Sequence, residues 1–227
     1  MSAARGRSRS RDRELLTFVG RHGIVGLDQV MAAMGAGRTA TYRRIAICVD
    51  LGLLERVRLL RDEPTVVRAT RDGLDYVDLG LPVAAVSPGL VRHHLRCADL
   101  AIRLEQRFGS EGVKVLSERE FTWRERIEDR QIASVPVGRG RYRRQQMHRA
   151  DLVVVKGKRI VPVEVELTAK APRRLEVLIR AWRHAVALGQ ISAVNYYCAP
   201  GTARRAVERA VKKAGAGEVI WVGEAPA

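Results

Sequence analysis

HRADLVVVKGKRIVPVEVELTAK, residues 148–170, is the stretch on which the fold turns. Asp151 opens an apolar run, Leu152 to Val155, of the length of a buried strand. A tight Lys156-Gly157-Lys158 turn follows, and the chain returns as Ile160 to Leu167. In the return Val161, Val163, Val165 and Leu167 alternate with Pro162, Glu164 and Glu166. A strand repeats every second residue, so the two glutamates share one face. A hairpin brings Asp151 beside them. Three clustered carboxylates repel one another unless a cation or bound protons relieve them. The plain alternative is a pair of solvated glutamates on the polar side of a half-exposed strand.

The composition points to a polyanionic partner. The 227 residues hold 41 Lys+Arg against 25 Asp+Glu, a net charge of +16, while 46% hydrophobic residues suffice for a folded core. No apolar run approaches the roughly 18 residues of a spanning helix, and the N-terminus has no signal-peptide core, so no membrane partner is expected. Cys48, Cys97 and Cys198 lie far apart with no CxxC pair. They read as core residues of a cytoplasmic protein, not as a zinc site. Phosphate-loop, dinucleotide and HExxH motifs are absent.

Outward from the hairpin, the chain divides into four parts. Residues 1–13 carry Arg5, Arg7, Arg9, Arg11 and Arg13 and read as a flexible basic arm. In 14–80, Leu15, Leu16 and Val19 mark one helix, and Leu27, Val30, Met31 and Met34 a second. A third starts near Arg38, with Tyr42, Ile45 and Val49 on one side. Two strands, 53–60 and 65–70, flank the Arg61-to-Pro64 turn, and a short helix closes the unit. Residues 81–90, rich in proline and small residues, read as a linker. The remainder, 91–227, opens with an amphipathic helix, Val91 to Phe108, in which Glu105 falls inside the apolar arc. Strands at 113–115 and 119–123 and an arginine-dense stretch lead into the hairpin. Beyond it a helix bearing Leu175, Leu178, Ile179, Trp182 and Ala185, a strand at 193–198, a helix and a last strand complete an α/β pattern.

Helix, helix, turn, helix and hairpin, with RTATYRRIAICVDLGLLERV at the centre, resembles a winged helix-turn-helix domain. That resemblance implies that Arg38, Thr39, Thr41, Arg43 and Arg44 face double-stranded DNA, with Arg56, Arg58, Arg61 and Arg68 on the wing; arginine suits both guanine edges and phosphates. HRAD (148–151) and EVEL (164–167) resemble the restriction-endonuclease-like, PD-(D/E)xK fold, an α/β domain with a mixed sheet, in which Glu105 would be the carboxylate of the first helix. With HHLRCADL (93–100), the chain as a whole resembles the replication-relaxation family of plasmids and other mobile elements. The resemblance implies Mg²⁺ held by Asp151 and Glu164, with Glu105 as a further ligand. The candidate catalytic residues are Asp151, Glu164, Glu166 and Lys170, and the arginine-dense stretch with Arg139, Arg141, Arg143 and Arg144 offers a second basic surface to DNA. Glu166 stands where the family's lysine belongs, and a carboxylate cannot supply that charge. Lys170 and His148 are the nearby substitutes, though neither keeps the motif spacing. The expected function is DNA binding in control of replication, mobilisation or transcription. The alternatives are a Mg²⁺-dependent endonuclease or nickase, and a homodimer that uses the winged helix for protein contacts.

Overall fold

Strand β8, Arg159–Glu166, is buried along its last five residues, so neither of its faces is a solvent face. The computed structural model describes residues 2–58, 65–139 and 145–224, and the chain forms two compact units that divide at Ile102. The division falls inside a helix rather than in the 81–90 segment, where Leu81 is buried at 2% exposure.

The first unit begins with α1, Ser2–His22, followed by β1 (Val25–Gly26), α2 (Leu27–Met34), α3 (Arg38–Asp50), β2 (Leu54–Val57), β3 (Val66–Ala69) and α4 (Arg71–Tyr76). The three strands form an antiparallel sheet in the order β1-β3-β2. Leu15, Leu16, Phe18 and Val19 of α1 pack with Val30, Ile45, Cys48, Leu54, Val67 and Leu74. Helix α1 runs through residues read as a flexible arm. Arginine and alanine are good helix formers, and a helix nucleated on the packed Leu15–Val19 stripe extends through them despite Gly6 and the serines Ser2, Ser8 and Ser10. Gly35, at φ +56°, ends α2 in the left-handed conformation and lets the chain turn into α3. Thr70 caps α4 by accepting from Gly73 N at 3.1 Å.

Helix α5, Val91–Phe108, carries the chain from one unit into the next. The second unit contains β4 (Lys114–Ser117), α6 (Glu118–Glu128), β5 (Ser134–Arg139), β6 (Gln145–Arg149), β7 (Leu152–Lys156), β8, α7 (Pro172–Ala187), β9 (Val194–Cys198), α8 (Thr202–Ala214) and β10 (Ile220–Glu224). Its main sheet is mixed, in the order β10-β9-β8-β7-β4: β4, β7 and β8 pair antiparallel, and β8, β9 and β10 parallel. Strands β5 and β6 make a separate antiparallel ribbon. The Lys156↔Arg159 pair closes the β7–β8 hairpin, with Gly157 at φ +59° in the turn. The stretch 119–123 is helical, not a strand. Ser117 accepts from Glu120 N at 3.3 Å, while the Glu120 carboxylate accepts from Ser117 N at 2.9 Å, and this reciprocal cap starts α6. Among the described residues no helix is long and apolar enough to cross a membrane, and the three cysteines are buried and form no disulfide.

Candidate functional site

The face of β8 that carries Glu164 and Glu166 is a core face. Parallel pairing sets Glu164 beside Tyr196 and Glu166 beside Cys198, and Tyr196 and Cys198 belong to the hydrophobic core that Leu175, Ile179 and Trp182 of α7 complete. The two glutamates are 1% and 3% exposed. Buried carboxylates demand partners, and the surrounding elements deliver them. Trp182 Nε1, itself fully buried, donates to Glu164 Oε1 at 3.1 Å. His148 Nε2, from β6, lies 2.7 Å from the same oxygen, with its ring edge-on to Trp182. Lys170, four residues beyond Glu166 in the loop before α7, donates its ammonium to Glu166 Oε2. Asp151 sits at the start of β7, where its Oδ2 accepts from Val165 N at 2.7 Å. The backbone ties it further: Asp151 N donates to Val163 O at 3.0 Å, and Asp151 O accepts from Glu118 N at 3.1 Å.

The cluster therefore sets three acids against two bases. Burial pulls the His148 imidazole down, but its hydrogen bond to Glu164 and the charges of Glu164 and Asp151 outweigh this and the repulsion of Lys170, leaving it above 6.5. Lys170 follows the same logic: burial opposes its charge, and Glu166, Glu164 and Asp151 together raise it above 10.5. Glu164 is held above its ordinary 4.5, first by burial and then by Asp151, against the pull of His148 and Lys170. Burial and the three carboxylates push the Tyr196 phenol well above 10, so it stays protonated; its hydroxyl has no hydrogen-bond partner among the described residues. Burial, then Glu166, pushes the Cys198 thiol up to about 12, which excludes it as a thiolate nucleophile at neutral pH.

This arrangement does not fit a Mg²⁺ centre. Mg²⁺ takes carboxylate oxygens and waters in a near-octahedral shell. Here Glu164 Oε1 faces two nitrogen groups and Glu166 Oε2 holds an ammonium. Among the described residues no three of Asp151, Glu164, Glu166 and Glu105 bring ligand atoms within 4.8 Å of one another. Glu105 is half-buried on α5, and among the described residues it completes no such group with them. The lysine that the motif spacing lacks is nonetheless present in space, since Lys170 reaches the cluster from four residues downstream. Its hydrogen bond goes to an acid. Trp182 was legible only as part of an apolar stripe, although a buried indole N–H is a standing requirement for an acceptor.

The arginines of the first unit fall into two groups. Arg38, Thr39 and Arg43 are exposed on α3, and Arg56 and Arg58 on and after β2, with the Arg56 guanidinium stacked 5.1 Å above the Tyr42 ring. Tyr42, expected on the core side, is 57% exposed. The core side is instead Thr41, Ile45 and Cys48, so Thr41, at 2% exposure, cannot face DNA. The i, i+4, i+7 spacing of those three residues marks the core face. Arg44 pairs with Asp12 of α1. Arg68, expected on the wing, pairs with its cross-strand neighbour Glu55 and donates to Ala84 O at 2.6 Å, so this arginine and Arg44 of α3 are both engaged within the first unit. Arg139 ends β5, while Arg61, Arg141, Arg143 and Arg144 lie outside the described residues. A scan against protein-family models gave no match to this sequence, and a search of curated proteins found no relative.

Proposed function

We propose that the chain binds double-stranded DNA through a winged helix-turn-helix in its first unit. In this reading it serves a plasmid or other mobile element of the replication-relaxation type, in control of replication, mobilisation or transcription. One observation carries the reading. The order α1–β1–α2–α3–β2–β3, with sheet order β1-β3-β2, leaves Arg38, Thr39 and Arg43 exposed on α3, with Arg56 beside them. An exposed helix of this kind enters a major groove, where arginine reads guanine and clamps phosphate. The net charge of +16 supplies the non-specific attraction. The second unit is a restriction-endonuclease-like domain whose acids are matched by His148 and Lys170 and which contributes scaffold rather than cleavage.

Gel-shift titrations at several salt concentrations test this. Arg38→Ala and Arg43→Ala should each weaken binding and flatten the salt slope by about one for every phosphate no longer neutralised. Thr41→Ser should leave both unchanged. Affinity and slope that ignore both arginines would remove the winged-helix docking. Supercoiled plasmid incubated with Mg²⁺ should stay intact. Metal-dependent nicking that vanishes in Asp151→Ala would replace this reading with that of an endonuclease or nickase.

A further inference from the structure

A cleft of about 360 Å³ opens between α1, α2 and α3 of the first unit. Arg11, Arg43 and Arg44 supply its charge, Met34 and Ile47 its apolar walls, and Thr41 lines it as well. The Thr41 hydroxyl is buried and has no hydrogen-bond partner among the described residues, an unusual state for a helical threonine. Asp12 neutralises Arg44, and among the described residues Arg11 and Arg43 are the cleft's charges that no acid pairs. The volume lies at the lower end of the range of small-molecule pockets.

We infer that this cleft is a binding site for a small organic anion with an apolar body, such as an aromatic carboxylate. The charged end pairs with the Arg11 and Arg43 guanidiniums, which suit a carboxylate in fork geometry. The apolar end packs on Met34 and Ile47. Bare phosphate uses only the first half of this lining. Arg43 is also one of the arginines offered to DNA, so an occupant withdraws it from that task and DNA docking weakens. This last step rests on the reading proposed above, whereas binding of the anion does not.

Calorimetric titration of the full chain with benzoate, in the absence of DNA, is the test. Benzoate should bind saturably and its neutral analogue benzyl alcohol should not. Arg11→Gln should weaken benzoate binding about tenfold or more, as removal of a charge-assisted hydrogen bond does. Ala40→Phe, at an exposed position on the cleft wall, should abolish it. Absence of saturable benzoate binding by the wild-type chain overturns the inference, as does binding that both variants leave unchanged. So does inorganic phosphate binding as tightly as benzoate, which would make the cleft a seat for a DNA phosphate. If DNA binding itself fails in gel shifts, the benzoate titration still decides the site.

Discussion

Replacing Lys170 with methionine keeps most of the side chain's length and removes its charge. The Glu166 carboxylate, with 4% of its side chain exposed, is then buried without the ammonium that faces it. Breaking a buried ion pair by removing one partner costs about 3–5 kcal/mol. The Lys170 side chain is 26% exposed, so solvent screening brings the expected loss to the lower end, about 3 kcal/mol. At about 2–4 °C per kcal/mol, that is a fall of roughly 6–12 °C in melting temperature. Trp123, Trp182 and Trp221 all lie in the second unit, so tryptophan fluorescence during urea unfolding reports on that unit directly. The double variant Lys170→Met with Glu166→Gln removes both charges and should recover most of the loss, giving a coupling energy in a double-mutant cycle. Millimolar Mg²⁺ should not rescue the single variant, because the acids are arranged around protein cations. A single variant as stable as wild type, a double variant no better than the single, or rescue by Mg²⁺ would each refute the reasoning.

Acidification should stabilise the second unit through His148. Its folded value lies above 6.5, so its contribution is fully present below 6.5 and is lost as pH rises through the raised value; Glu164, raised above 4.5, acts with the same sign. The stability difference between wild type and His148→Gln, measured by urea unfolding, should shrink as pH goes from about 5 to about 8. Trp182→Phe removes the N–H that Glu164 Oε1 accepts and leaves a gap under α7, at a cost of about 2–4 kcal/mol in the same assay. Gly73→Ala should destabilise the first unit by about 2–4 kcal/mol in thermal circular dichroism, because the added Cβ would meet Leu53 O at 2.0 Å, a backbone atom with little room to yield.

Local patterns in the sequence carried much of this fold. The period of two in β8, the Gly157 turn and the stripe from Leu175 to Ala185 all describe real elements, because each is set by residues close in the chain. The burial of Glu164 and Glu166 was not legible, since alternation of apolar and acidic residues ordinarily marks one wet face. Which face is wet depends on α7 and on Trp182, neither of which that alternation shows. The strand expected at 119–123 misread Ser117 and Glu120, whose S-x-x-E spacing is a helix-start signal. Among the DNA-facing candidates, residue type was a poor guide to availability. Arg44 and Arg68 satisfy Asp12 and Glu55, partners 32 and 13 residues away.

The position of β8 between an antiparallel and a parallel neighbour also bears on the order of folding. Its pairing with β7 needs only a short turn, and hairpins of that kind form in about 1–10 μs. Its pairing with β9 waits until the whole of α7 has crossed over the sheet. In the isolated hairpin Glu164 and Glu166 are hydrated and carry their charge freely. They lose that water when α7 docks, at the step that closes the long loop. Dehydration of two carboxylates is thus assigned to the late, slow part of folding. Protonating Glu164 should speed that step and leave hairpin formation untouched.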